Sequence, residues 1–381
     1  MGLVLDKEGF NDANAWAFSG KKINPVNAFN RSKLAPQVNG TTYVPGGDKL
    51  ITDGTYPVLN KWNGFGLVPT EGNYLTIIEY LIYLFPEGKV LEHILNVLAC
   101  LVQRPDEKVR QCLLITGGQG IGKSTLRVIL TKILGRENVG LVNTGDWQEN
   151  FNAHLCDLHV AVIEEFMSGD RLQSYNAFKP YVSDDTVKVN QKHWPVYDGR
   201  TPYFWMAFSN HERPIIIEAD DRRFFVYRTP AVRESEAYYD ALYEAIETES
   251  AAFMYALMQR DISNFNPDAP PPMTPDKQAL IKGSFTPTKA KLSELIEGAH
   301  SKFQSDVLSL HDIRAELGIH INVTPRSLED RNPSATLKEL GGVSLGPIRI
   351  GKSKPSLWAI RNAGKWVESL PADIRKEYSN E

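Results

Sequence analysis

The stretch LLITGGQGIGKSTL, Leu113 to Leu126, decides the fold of this chain. The apolar run Cys112-Leu113-Leu114-Ile115 reads as a buried parallel strand. It breaks into Gly117-Gly118-Gln119-Gly120-Ile121-Gly122-Lys123-Ser124, which fits G-x-x-x-x-G-K-S. Glycines there let successive backbone N–H groups converge on phosphate oxygens, Lys123 neutralises charge on the terminal phosphates, and the Ser124 hydroxyl can ligate Mg²⁺. From Thr125 the segment TLRVILTKILG carries apolar residues at helical spacing and stops at Gly135. A strand, a glycine-rich turn and a helix in that order predict an ATP site, with Mg²⁺, on residues 117 to 125.

Working outward, the 381 residues suffice for two or three domains. A net charge of −4 gives no basic footprint over the whole molecule, so any nucleic-acid contact must be local. The most apolar stretch, Tyr74 to Phe85, carries Glu79 and is shorter than the ~18–20 residues of a membrane helix. No signal-peptide pattern is present, and no membrane partner is expected. Cys100, Cys112 and Cys156 are odd in number and lack metal-ligand spacing, so they read as reduced core thiols of an intracellular, cytoplasmic protein.

Residues 1–70 are rich in Asn, Gly and Pro with isolated aromatics, and read as an extended leader or as a linker pinned by a few rings. Asn73 to Phe85 and Lys89 to Val102 are helical patterns separated by Pro86-Glu87-Gly88, which predicts a helical subdomain over 71–108. After the loop helix come a short strand, Val139 to Val142, and the run His159-Val160-Ala161-Val162-Ile163-Glu164-Glu165. A strand ending in two carboxylates downstream of a phosphate loop suits nucleotide hydrolysis, with Glu164 assigned to the metal and Glu165 to the attacking water. Asp170 to Val182 reads as a helix. Thr186 to Gln191 and Trp194 to Tyr197 then form a hairpin whose tip, Lys192-His193, presents a cation and an imidazole, or is a solvated turn. Tyr203 to Phe208 is a strand ending in Ser209-Asn210, where the amide can reach the γ-phosphate or merely start a turn. Arg222 and Arg223 precede the strand Phe224 to Tyr227 and suit a nucleotide in a neighbouring subunit, or pair with Asp220 or Asp221 at the surface.

Arg233 to Arg260 is a long helical pattern, and NFNPDAPPPMTP places a proline-rich linker at 265–285, between an ATPase domain over 109–264 and a terminal domain over 286–381. In that last part Lys289 to His300, Leu310 to Leu317 and Ser334 to Leu340 read as helices, and Val343 to Ile350 and Ser356 to Ile360 as strands about a basic turn. The pattern is winged-helix-like. Arg349, Lys352 and Lys354, with Arg361 and Lys365 and no acid from Gly341 to Trp366, either grip a phosphate backbone or cover a packing hairpin.

Taken in order, GGQGIGKST, AVIEE, VKVNQKHWPV, WMAFSN and DRRF resemble the superfamily 3 helicases, the viral branch of the AAA+ ATPases, over roughly Leu113 to Tyr227. The Lys-His tip ahead of a strand ending in Ser-Asn is similar to the pore hairpin of papillomavirus and polyomavirus replicative helicases. The flanking text is more similar to the primase-helicase branch of phages and poxviruses, and to the helicase half of phage primase-polymerases. No primase or polymerase motif is present, so that activity would have to come from another domain or protein of the replication system. The second carboxylate is Glu where relatives often carry Asp.

The resemblance implies an AAA+ core with a parallel five-stranded sheet, preceded by the helical subdomain and followed by the α+β terminal domain. It implies a homo-oligomeric ring, usually a hexamer, with ATP at each interface and single-stranded DNA in a central channel. One subunit would supply Lys123, Ser124, Glu164, Glu165 and Asn210, and its neighbour the arginine finger, Arg223 by match and Arg222 in reserve. Lys192 and His193 would then move the strand. Two other functions fit the same residues: a phosphate-loop ATPase that remodels a replication complex without unwinding, and a DNA-binding scaffold whose ATPase is vestigial.

Overall fold

The computed structural model describes residues 7–15, 23–32, 38, 40–52, 57–149, 151–166, 171–192, 194–283, 287–299, 301–320 and 333–379. Much of the segment expected as an extended leader is folded. Thr41–Thr42 (β1), Leu50–Thr52 (β2) and Pro57–Asn60 (β3) form a small sheet in the order β1-β3-β2. Tyr43 and Trp62 are buried against Tyr203, and the Tyr43 hydroxyl donates to Asn138 Oδ1 at 2.9 Å. Asn, Gly and Pro hid this sheet because strands of two to four residues leave no measurable period.

The helices Leu75–Leu84 and Gly88–Gln103 follow, divided at the expected Pro-Glu-Gly break. They are not a subdomain of their own. Ile77, Leu81, Ile94 and Leu98 share one core with Leu113, Ile115 and Phe225 of the main sheet, so their apolar faces are covered by that sheet rather than by each other alone.

That sheet is built from Cys112–Thr116 (β4), Val139–Val142 (β5), Val160–Ile163 (β6), and, after the antiparallel hairpin of Thr186–Val189 (β7) and Tyr197–Arg200 (β8), Phe204–Ser209 (β9) and Phe224–Arg228 (β10). All five of its strands are parallel, in the order β10-β4-β9-β6-β5. β4, β6 and β9 are buried at every position, as unbroken apolar runs require when both faces are covered. The helix Thr125–Leu134 covers one face and ends at Gly135, whose φ of +96° favours glycine. The 24-residue helix Glu236–Gln259 starts at Ser235, whose hydroxyl accepts the Tyr238 N–H.

The chain divides into two compact units, 1–215 with 221–277 and 216–220 with 278–381. The proline-rich stretch before the second junction is strapped to the first unit instead of spanning freely. Arg110 N–H donates to the Pro267 carbonyl at 3.0 Å, the Thr274 hydroxyl to the Val226 carbonyl at 2.5 Å, and Lys277 is buried in an ion pair with Asp221 at 3.0 Å. In the second unit Val307–Ser309 (β11), Val343–Pro347 (β12) and Ser356–Ala359 (β13) form an antiparallel sheet in the order β11-β13-β12. The helices Pro287–Gly298, Leu310–His320 and Ser334–Glu339 accompany it. Leu292, Leu295, Leu308, Ile313, Leu337 and Trp358 fill a core of this unit. β11 is too short to show in the sequence. Among the described residues no helix is long and apolar enough to cross a membrane.

Candidate functional site

β4 runs into the glycine-rich loop at its carboxyl end. Gly120 and Gly122 have φ of +74° and +89°, conformations that side chains with a Cβ resist. Three tyrosines hold this loop from behind. Tyr80 OH donates to the Gly122 carbonyl at 2.9 Å and Tyr239 OH to the Gly120 carbonyl at 3.1 Å. Tyr83 OH lies 3.2 Å from the Ile121 carbonyl and 2.7 Å from that of Val232, sharing its proton between them. Burial pushes the Tyr80 and Tyr83 phenols above their ordinary value, so both remain donors. In a trans peptide the carbonyl and the next N–H point in opposite directions. Pinning three consecutive carbonyls therefore turns the N–H groups of Ile121, Gly122 and Lys123 away from the tyrosines. None of those three has a backbone partner among the described residues, which is the condition for a nest of amides able to receive an anion.

Lys123 is buried, and burial lowers its pKa. Its ammonium donates to the Gly117 carbonyl at 3.0 Å, the Gly118 carbonyl at 2.6 Å and Asn210 Oδ1 at 2.8 Å. Asn210 reaches it because β9 lies beside β4 in the sheet. On the far side of β9, β6 ends at Glu164 and Glu165. Lys123, Ser124, Glu164, Glu165 and Asn210 thus line one cleft of about 720 Å³ at the carboxyl ends of the strands, the place where open parallel sheets bind ligands.

The two carboxylates differ. Glu164 Oε1 accepts from Arg127 Nε at 2.7 Å, one helical turn past Lys123. Glu165 is exposed, carries a φ of +46°, and is followed by Phe166, whose N–H donates to the Phe208 carbonyl at 2.7 Å. A non-glycine residue held in that region by its neighbours is a common mark of a functional turn. For Mg²⁺ the donor set fits: the Ser124 side chain makes no capping bond, and Glu164 keeps its second oxygen. Arg127, Arg233, Tyr239 and Tyr243 escaped sequence reading. Arg127 had a signal, four residues after Lys123 in the first turn of the helix that follows the loop. Arg233 had none, and lines the cleft beside Gly120 through the packing of the long helix.

Arg222 and Arg223 lie elsewhere. In the sheet register Phe224 pairs with Cys112 and Arg228 with Thr116, so both arginines precede the amino end of β10, about five residues or ~16 Å of strand from the loop. Arg223 is half-buried, with its Nε donating to Ser183 Oγ and its backbone N–H to Asp221 Oδ1 at 3.0 Å; Arg222 is exposed. The surface pairing with Asp220 or Asp221 is not what the structure has: Asp221 is buried and taken by Lys277, Tyr175 and backbone N–H groups.

Lys192 is exposed at the turn between β7 and β8; His193 lies outside the described residues. In the second unit Arg349, Lys352 and Lys354 are exposed around the β12–β13 turn. Arg361 instead binds Asp306 and the carbonyls of Ile296, Phe303, Gln304 and Ser305, a structural role. Lys365 lies over the Trp366 ring at 4.2 Å. The three cysteines are free and buried, and burial pushes Cys100 and Cys156 up to about 12, where they are unreactive thiols.

Fold and cleft together define a mixed α/β protein whose all-parallel sheet carries a glycine-rich loop at its carboxyl edge. Residues 115–223 match the model of a family of unknown function, DUF5906. The chain is homologous to the DNA primase-polymerase of Nitratiruptor phage NrS-1, with 25% identity over 171 residues, which is 44% of this chain and 24% of that protein. Only about a quarter of the relative's length is therefore spanned. The apo structure of the NrS-1 C-terminal region superimposes with a TM-score of 0.70 at 19% identity, covering 91% of this chain and 89% of that one. A second apo form gives 0.69 at 18% identity, covering 91% and 90%. Both share the fold.

Proposed function

We propose that this chain is an ATP-driven DNA translocase of the AAA+ superfamily 3 type, the helicase part of a phage-type replication system in which priming and synthesis come from another domain or protein. The observation that carries the reading is the separation of charges on the sheet. Lys123, Ser124, Glu164, Glu165 and Asn210 converge at the carboxyl edge, while Arg222 and Arg223 lie ~16 Å away at the amino edge, too far to serve the same cleft. An arginine so placed can complete a nucleotide site only on another copy, which favours a closed ring, a hexamer by family likeness. Homology to a DNA primase-polymerase supports the setting.

In this mechanism the amides of Ile121, Gly122 and Lys123 receive the phosphates, and the Lys123 ammonium exchanges a loop carbonyl for a terminal phosphate oxygen. Mg²⁺ would be held by the Ser124 hydroxyl and the Glu164 carboxylate, and supplies charge neutralisation at the phosphates when bound. Glu165 accepts a proton from the attacking water as Asn210 orients it. The neighbour's Arg223, or Arg222, stabilises charge as it develops. The hairpin bearing Lys192 and His193 then carries a threaded strand with it by its phosphates, and the winged-helix-like second unit, through Arg349, Lys352 and Lys354, offers a further backbone grip.

Strand displacement on a forked DNA tests this. Lys123→Ala is expected to lose both hydrolysis and displacement, and Lys192→Ala to keep hydrolysis while losing displacement. Normal displacement by Lys192→Ala would remove the hairpin from the mechanism, and hydrolysis without displacement in the unaltered protein would leave a remodelling ATPase.

A further inference from the structure

At the tip of the β7–β8 hairpin the chain exposes apolar surface that no described residue of the first unit covers. Trp194 is 60% exposed, Val196 61% and Tyr197 39%. The rest of the hairpin is held firmly. Asn190 N–H donates to Asn152 Oδ1 at 2.9 Å, Asn152 Nδ2 donates to the Lys188 carbonyl at 3.0 Å, and Val189 is buried with Gly199 packed against Cys156. The tip is shaped as well as presented: Trp194 N–H closes a turn on the Gln191 carbonyl at 3.0 Å, and Tyr197 OH donates to Gln191 Oε1 at 3.2 Å. Among the described residues no aromatic ring stacks on Trp194 and no carboxylate pairs with Lys192. Lys188 and Asp198 cancel each other at 2.8 Å, which leaves the tip positive.

We propose that Trp194 is a stacking platform for an unpaired nucleobase, and that the tip reads a single strand in two parts: Lys192 holds a phosphate and the indole two residues later holds the base. This deepens the translocase reading and rests on it. The occupant follows from chemistry. Bases in a duplex have both faces covered by their neighbours, so only an unpaired strand offers a free π-face. A cation and an indole two residues apart match the alternation of charge and ring along such a strand. Stacking on an aromatic side chain is insensitive to base identity, which suits movement over any sequence. Val196 and Tyr197 add exposed apolar surface to the same end of the hairpin.

The test compares the full chain with Trp194→Ala, Trp194→Phe and Lys192→Ala, binding a thymidine oligonucleotide and an abasic oligonucleotide of equal length over a series of salt concentrations. Trp194→Ala is expected to lose about ten-fold affinity for the thymidine strand, with little change on the abasic strand or in the salt slope. Trp194→Phe should recover most of the loss. Lys192→Ala should weaken both strands and lower the slope. Unchanged thymidine binding by Trp194→Ala, or equal loss on both strands, overturns the stacking role while the Lys192 result still judges the translocase reading. If Trp194→Ala instead changes the size of the assembly, the surface belongs to a contact with a second copy and the proposal fails. If neither variant weakens binding, the hairpin is not the DNA contact, and the stacking proposal falls together with the hairpin's part in the translocase mechanism.

Discussion

His159 precedes β6 with its imidazole between Trp62 and Tyr203, ring centroids 5.5 and 5.9 Å away. Its Nε2 lies 2.9 Å from the Leu101 carbonyl, so that nitrogen carries the proton, and Nδ1 finds no partner among the described residues. Burial lowers its pKa to about 4 from the ordinary 6.5. The folded chain therefore keeps this ring neutral while the unfolded chain takes up a proton first. Its contribution to stability is complete above about pH 6.5 and is lost as pH falls towards 4, a loss on the order of 3 kcal/mol. His93 is also held down by burial and acts with the same sign. The expected result is a thermal midpoint that drops between pH 7 and 4.5 in the unaltered protein and drops less in His159→Phe, by scanning calorimetry. Equal drops would assign the dependence to other groups.

The glycine-rich loop owes its shape to two helices far from it in sequence, Leu75–Leu84 with Tyr80 and Tyr83, and Glu236–Gln259 with Tyr239. Removing one hydroxyl takes a donor from a part-buried loop carbonyl, from Ile121 for Tyr83 and from Gly122, which keeps the Thr125 N–H, for Tyr80, at a cost of about 1 kcal/mol, and loosens a peptide plane whose N–H faces the cleft. Tyr80→Phe and Tyr83→Phe are each expected to raise the KM for ATP about five-fold with kcat nearly unchanged, because the phosphate cradle is set in the ground state and the transition state alike. A fall in kcat at constant KM would mean that the loop moves during the reaction. Sequence reading found the loop but not its supports. Tyrosines at helical spacing look like ordinary core, and their hydroxyl bonds span 42, 38 and 119 residues of chain.

For the molecule as a whole the decisive feature is that the sheet carries the Lys123 cleft at its carboxyl end and Arg222 and Arg223 at its amino end, which the proposed function reads as the two halves of an intersubunit site. Arg223→Ala subunits keep an intact cleft, and Lys123→Ala subunits keep an intact arginine. Each alone is expected to be inactive, with the arginine worth roughly 10³-fold in rate. Mixed in equal amounts and allowed to exchange, about a quarter of the interfaces join the two intact halves, and hydrolysis should return in proportion. No recovery at any ratio, with assembly intact, would mean that the arginines serve the fold; recovery only with Arg222→Ala would move the finger to Arg222.

The sequence alone settled the five strands of the main sheet, the turn between β4 and its helix, the long helix Glu236–Gln259 and three helices of the second unit, but not that unit's last two, Ala363–Val367 and Pro371–Ser379. Strands covered on both faces must be unbroken apolar runs, and a turn that needs positive φ, as at Gly120 and Gly122, must be glycine, so both are written locally. Only the tertiary structure decided which strands are neighbours. The order β10-β4-β9-β6-β5 brings Asn210 to Lys123 and places Glu164 beside Arg127, and it sends Arg222 and Arg223 to the other edge. It also merged the helices Leu75–Leu84 and Gly88–Gln103 into the sheet's core. Periodicity records that a side chain is buried, whereas its partner depends on how distant segments pack, and no spacing along the chain encodes that.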